Sequence, residues 1–330
     1  MLSRRRLLKA IGAAILAAAG GTALWRTLRR TEPTDLPPGP RPQLAFFLLS
    51  DIHMSSTDSA MAERLHLALK DLTAFNGPID TIVLGGDQVD GGRQSDYDAL
   101  KEIMAEYDLP EVHGLMGNHE YYDIWYNAQG EWSTATGPHG KTDAQSRERF
   151  LRFMGYDRPY HDTWVNKVHL IMLSQETYVQ ERPEVGEGAW YSDEQLAWLA
   201  ETLKPHADGS LALVFIHQPL PPPGSNGGSH RLIRATEFRE ILAPYRNVIV
   251  LSGHTHRSLE TEGRYTREAT FHWFQNASVG KTRGAASVAR PVQGLYIQVY
   301  PDRVVLRGRE FSNGTWIKGA DWTVELAGSG

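Results

Sequence analysis

The stretch VIVLSGHTH, Val248 to His256, joins four branched aliphatic residues to a serine, a glycine and two histidines one residue apart. A short apolar run bounded by polar residues reads as a buried strand. The glycine behind it lets the chain turn sharply and approach other backbone closely. If the backbone beyond the strand stays extended, His254 and His256 point to one side, so a single loop could serve two neighbouring ions. Taken alone, the pair favours a solvated loop over a metal site.

Working outward, the same pattern recurs. LAFFLLS (44–50) closes on Asp51-Ile52-His53, and IDTIVLGG (79–86) closes on Asp87. VHGLMGNHE (112–120) is a short strand running into Gly117-Asn118-His119-Glu120, and LALVFI (211–216) closes on His217. Between these runs, MAERLHLALKDLTAF (61–75), DYDALKEIMAEY (96–107) and SDEQLAWLAETL (192–203) carry apolar residues at helical spacing. Ser192 is placed as N-cap of the last, with Gln195 as its capping-box partner. KVHLIMLS (167–174) and HWFQNASVG (272–280) add strands, and GLYIQVY, RVVLRG and DWTVELA (294–327) form an antiparallel meander. Strands alternating with helices predict an α/β fold with largely buried sheets, mixed because of the late hairpins. Ligands of open α/β sheets gather at the carboxyl ends of strands, which is where five polar clusters fall.

Composition narrows the chemistry. The chain has 330 residues and no cysteine, which excludes disulfides, thiol nucleophiles and thiolate metal sites. Seven Lys/Arg and no acid occupy the first thirty residues; the rest holds 27 basic against 39 acidic residues, a formal charge near −12. An acidic body argues against nucleic-acid binding, which needs clustered Lys/Arg.

The N-terminus reads as an address. Arg4, Arg5, Arg6 and Lys9 precede sixteen uncharged residues, Ala10 to Trp25, short of the ~20 needed to span a bilayer. Ser3 to Lys9 resembles the bacterial twin-arginine export signal, with Leu7 where Phe is preferred. The resemblance implies export by the twin-arginine machinery to the periplasm or the outer face of the cytoplasmic membrane. Ala17-Ala18-Ala19 offers a cleavage site, but Arg26, Arg29 and Arg30 follow closely, so residues 1–30 read as a cleaved signal or a retained anchor. Residues 31–43 form a Pro-rich linker, and residues 44–330 a single catalytic domain.

The ordered set D-x-H, G-D, G-N-H-E, a strand-terminal H, and G-H-x-H resembles the calcineurin-like metallophosphoesterase superfamily over Asp51 to His256. The resemblance implies a four-layer α-β-β-α sandwich of two mixed sheets flanked by helices. It also implies two metal ions bridged by Asp87. Asp51, His53 and His256 complete one site; Asn118, His217 and His254 complete the other. All are N or O donors, compatible with Mn, Fe, Zn, Co or Ni. The implied reaction is hydrolysis of a phosphoester by a metal-bridging hydroxide, with His119 stabilising or protonating the leaving oxygen and Glu120 orienting it.

Within the superfamily, Gly91-Gly92 and Met54 depart from the Ser/Thr protein phosphatases, and Val89-Asp90 offers no tyrosine ligand of the purple acid phosphatases. GAWYSDEQLAWLAETL (188–203) resembles the helix entry of the bacterial phosphodiesterase branch. A phosphodiester substrate is therefore expected, with a phosphomonoester or the pyrophosphate of a nucleotide or lipid headgroup as alternatives. A non-catalytic scaffold is disfavoured because no ligand position is missing. YYDIWYNAQGEW (121–132) and PPPGSNGGSHR (221–231) are candidate substrate walls, and an apolar wall near a membrane would suit a lipid-like substrate. His66, His113, His139, His161, His169, His206, His230 and His272 are read as structural.

Overall fold

The computed structural model describes residues 39–285 and 287–328. The signal or anchor of residues 1–30 and most of the linker lie outside the described residues. The compact unit that carries the site runs from Arg41 to Ala74 and from Pro78 onward.

Two six-stranded sheets build it. The first has the order β12-β11-β10-β1-β2-β3: β1 (Leu44–Leu49), β2 (Thr81–Leu84), β3 (Val112–Gly114), β10 (Gln293–Val299), β11 (Arg303–Glu310) and β12 (Thr315–Glu325). The second has the order β4-β5-β6-β7-β9-β8: β4 (His161–Val165), β5 (Val168–Met172), β6 (Ala212–Phe215), β7 (Val248–Ser252), β8 (Tyr265–Arg267) and β9 (Phe271–Gln275). Both are mixed. β1, β2 and β3 run parallel, as do β5, β6, β7 and β9, while the meander and the edge hairpins are antiparallel.

Period-two alternation assigns the faces. Phe46 and Leu48 of β1 share one core with Leu170, Leu213, Phe215, Ile249 and Leu251 of the second sheet, so the sheets pack face to face. The rings of Phe46 and Phe215 meet edge-on across that interface at 6.0 Å. The opposite face of the second sheet, Ile171, Val214, Val248 and Val250, is covered by α4 (Asp193–Thr202) and α5 (Ala235–Leu242) through Leu196, Leu199, Phe238 and Leu242. α1 (Ser59–Ala74) is tied to β11 of the first sheet, where Arg309 donates to both carboxylate oxygens of Asp71 at 2.8 and 2.9 Å. α2 (Gln94–Ala105) and α3 (Asp143–Met154) complete the α-helices among the described residues. The α-β-β-α architecture is as the motifs imply.

Some local expectations change. Ser192 does cap α4, its Oγ accepting from the Gln195 amide at 3.0 Å. The Gln195 side chain does not return to it; it donates to the carbonyl of Ser174 and to Glu176 at 3.0 and 2.7 Å, and Glu176 accepts from the Ser192 amide instead. α3 and α5 have no counterpart among the helices expected from the sequence: α3 is dominated by polar residues, and α5 is only eight residues long, its apolar face limited to Ala235, Phe238, Ile241 and Leu242. Yet Thr142 caps α3 with a capping box, and Gly155 ends it with φ 75°.

Candidate metal and active site

Five strand ends converge. Beyond Leu49, Leu84, Gly114, Phe215 and Ser252 lie Asp51 and His53, Asp87, Asn118, His217, and His254 and His256. Backbone bonds lock the loops together: the Asp51 amide donates to Gly86 O at 3.0 Å, His53 N to Asp87 O at 3.0 Å, and Gly253 N to His217 O at 2.9 Å. Gly253 is required because a Cβ there would run into the Ser50 hydroxyl and the Asp51 carboxylate.

Left-handed backbone concentrates here. Asp51, His53, Asp87, His254 and His256 have φ of 54°, 53°, 50°, 70° and 55°. Such conformations cost about 1–3 kcal/mol each in non-glycine residues and persist where the surroundings over-determine them. The extended backbone expected for His254-Thr255-His256 is therefore not found. β7 ends at Ser252, and the left-handed turns send the two imidazoles into different groups.

Those groups share one residue. Asp51, His53, Asp87 and His256 place one donor atom each within 4.8 Å of one another, and so do Asp87, His217 and His254. Asn118 adjoins the second group, its Oδ1 3.1 Å from His254 Nδ1. The closest approaches are His53 Nε2 to His256 Nε2 at 2.9 Å, His256 Nε2 to Asp51 Oδ1 at 3.0 Å, and His217 Nε2 to Asp87 Oδ2 at 3.1 Å.

These contacts fit a cation. His217 Nδ1 lies 2.8 Å from Gly85 O, an acceptor, so it carries a proton and turns Nε2 toward the Asp87 carboxylate, where a metal ion, or a second proton when none is bound, would lie between them. That nitrogen is buried and faces a carboxylate oxygen 3.1 Å away. His53 Nδ1 donates to Asp90 Oδ1 at 2.9 Å, so its Nε2 meets the other imidazole nitrogen-first. Lone pairs aimed at lone pairs need positive charge between them.

The electrostatics agree. Burial, then the charge of neighbouring imidazoles, pushes His53 and His254 down to about 3, keeping both neutral. Burial opposes the charge on His217, but Asp87 and Asp51 outweigh it and push it up to about 10. Burial would raise Asp87, yet His217, His119 and His53 hold it well below the usual carboxylate range.

His119 opens a 3-10 turn (His119–Trp125). Its Nδ1 donates to Asp90 O at 2.8 Å, and its Nε2 stands 4.0 Å from Asp87 Oδ2. The Tyr122 ring packs on it at 3.9 Å with a 34° tilt. Burial disfavours its charge, but Asp87 and Asp90 raise its pKa overall. Glu120 does not orient this imidazole. Its buried carboxylate accepts from the backbone amides of Gly117, Gln88 and Asp87 at 2.6, 2.7 and 3.0 Å, stitching together two of the loops that carry candidate ligands. Burial and then Asp87 push it up to about 7.

Four residues at the site carry no motif. Asp90 holds His53 and is itself held by the Lys281 ammonium. Glu187 accepts from Asn118 Nδ2 and Tyr122 OH, both at 2.7 Å, which turns the Asn118 carboxamide oxygen toward His254. His230, read as structural, instead lies with Nδ1 3.3 Å from His254 Nε2. The other histidines read as structural join neither group. His169 bonds His206 and Asp162 at 2.8 Å each, and His272 bonds Tyr265 OH at 2.8 Å. Of the aromatic insertion, Tyr121 and Ile124 are core, whereas Tyr122, Tyr126 and Trp132 cluster beside His119.

The family model described as calcineurin-like phosphoesterase matches residues 44–258. Among curated proteins, the chain is 22% identical over 229 residues to the 3',5'-cyclic adenosine monophosphate phosphodiesterase CpdA of Haemophilus influenzae, covering 67% of this chain and 73% of that protein. Among solved structures, a dimetal phosphatase from Danio rerio superposes with a TM-score of 0.61 at 16% identity, over 87% of this chain and all of the other. A purple acid phosphatase from yellow lupin seeds superposes with a TM-score of 0.55 at 13% identity, over 87% of this chain and 55% of the other. At these identities the two structures speak for the fold alone.

Proposed function

The chain belongs to the calcineurin-like phosphoesterase family, and from that premise we propose that it is a dinuclear metal-dependent phosphodiesterase. The observation that carries the reading is that Asp87 belongs to both groups of clustered donors. Asp51, His53 and His256 would hold one ion, Asn118, His217 and His254 the other, with Asp87 between them. Bound there, the ions would supply Lewis acidity toward phosphoryl oxygens and lower the pKa of water.

The remaining work falls to the chain. His119 keeps its Nδ1 proton on the Asp90 carbonyl, which directs Nε2 toward the cluster, where it can give a proton to the departing oxygen. Tyr122, held by Glu187, fixes the imidazole plane from the other side. The aromatic rim of Tyr122, Tyr126 and Trp132 offers a face for an organic substituent, and only a diester carries a second one. The similarity to a cyclic-nucleotide phosphodiesterase favours the same class of ester.

Parallel hydrolysis of bis-aryl and mono-aryl phosphates with Mn, Fe, Zn, Co or Ni tests this reading. Faster turnover of the diester supports it. Preference for the monoester would replace it with a phosphomonoesterase on the same site.

Export is a separate proposal, resting on Ser3 to Lys9 and the uncharged run to Trp25. Replacing Arg4 and Arg5 by Lys should retain the protein in the cytoplasm; undiminished export of the double variant would rule out the twin-arginine route.

A further inference from the structure

Outside the cluster, the GHTH loop is flanked by positive charge that no acid among the described residues answers. Arg264, only 3% exposed, donates through a terminal guanidinium nitrogen to Thr255 Oγ1, between the two histidines, at 3.1 Å. Its Nε is buried without a hydrogen-bond partner. Arg257 follows His256 directly and bridges to Arg283, whose amide donates to the His256 carbonyl at 2.7 Å. The side chains of Arg257 and Arg283 are exposed. None of the three arginines forms an ion pair with a carboxylate among the described residues. Nearby Lys281 is already paired with Asp90.

The body of this chain is strongly acidic, with 39 Asp and Glu in all, so three arginines without an acid partner, two on the β7–β8 connection and one beyond β9, are not a consequence of composition. Burying a guanidinium beside a second one costs free energy unless an anion offsets it. Burial and then Arg257 depress the Arg264 guanidinium to about 10, the direction expected of a cation whose counter-ion is absent. Arginine's planar fork suits a phosphate, which two or three guanidiniums can share through charge-assisted bonds.

We propose that Arg257, Arg264 and Arg283 form a subsite for a second phosphate group carried by the substrate, beyond the scissile ester and on the His256 side of the cluster. The inference rests on the phosphodiesterase reading and narrows its substrate to a phosphodiester bearing a further phosphate. The aromatic rim beside His119 and this cationic patch flank different loops, so the two substituents of the diester would be sorted by chemistry.

The probes are p-nitrophenyl alkyl phosphodiesters whose alkyl arm, two to six carbons long, ends in a phosphate or a hydroxyl. At the best chain length, kcat/KM for the phosphate-ended arm should exceed the hydroxyl-ended one by about tenfold, mainly through KM. In the Arg257→Gln/Arg283→Gln double variant that ratio should fall to within about twofold. A wild-type ratio near one at every length, or a ratio the variant leaves intact, would overturn the subsite. If neither arm is hydrolysed, the phosphodiesterase reading fails by itself. Calorimetry with the matching alkyl bisphosphate and hydroxyalkyl phosphate then decides the subsite: about tenfold tighter bisphosphate binding, lost in the double variant, supports it, and equal binding overturns it. Retention of the wild-type protein on phosphatidylglycerol vesicles, with no preference between the soluble ligands, would assign the patch to a membrane and overturn the proposal.

Discussion

Oδ2 of Asp87 lies 3.1 Å from Nε2 of His217, whose other nitrogen donates to the Gly85 carbonyl at 2.8 Å. Without a metal ion, a proton on His217 satisfies this contact, and the acid pair pushes the imidazole from 6.5 to about 10. A folded-state pKa raised above the unfolded one stabilises fully below pH 6.5 and loses that contribution as pH rises toward about 10. Chelator-treated protein should therefore show a thermal midpoint that falls between pH 7 and 10, with the slope reduced in His217→Gln. A profile as flat in the wild type as in the variant would contradict the pairing.

The two histidines of the GHTH loop should separate by metal. His256 approaches Asp51 and His53, whereas His254 approaches Asn118. His256→Ala should weaken the ion near Asp51, and His254→Ala the ion near Asn118. Metal titration of each variant should leave one tight and one weakened equivalent, with affinity at the weakened one reduced at least tenfold. Equal loss of both ions in both variants would mean that the loop serves one site.

Much of this site is legible in the sequence because each candidate ligand follows a buried strand. Runs such as LAFFLL and VIVL are apolar on both faces since they sit inside the sandwich, so the polar residue that ends each one stands out. Periodicity could not reveal partners on irregular loops. Glu187 meets Asn118 across 69 residues of sequence, and Lys281 meets Asp90 across 191. His230 sits in a Gly-rich loop that gives no pattern, and only the fold brings it to His254. The backbone of the GHTH loop departs from the extended form for a related reason. Left-handed φ at His254 and His256 is imposed by tertiary bonds such as His254 N to Asp51 Oδ1 at 3.0 Å, not by local preference.

His119 should matter to turnover more than to metal content. Its side chain hangs from Asp90 and Tyr122 and belongs to neither donor group that contains Asp87. His119→Asn should lower kcat by about 10²–10⁴, the range typical of a lost general acid, while metal binding changes less than twofold. The loss should shrink for esters whose leaving group needs no proton, such as p-nitrophenolate. A proportional loss of metal would make His119 a ligand instead.

The central claim is that Asp87 holds two ions at once, and metal analysis of Asp87→Asn against the wild type tests it most directly. The wild-type protein, saturated and then desalted, should retain two ions per chain and hydrolyse bis-aryl phosphate. The variant should retain fewer than one and lose at least about 10³-fold in rate, with its fold intact by circular dichroism. A wild-type stoichiometry below one with no hydrolysis, or a folded variant that keeps both ions and its activity, would contradict the account.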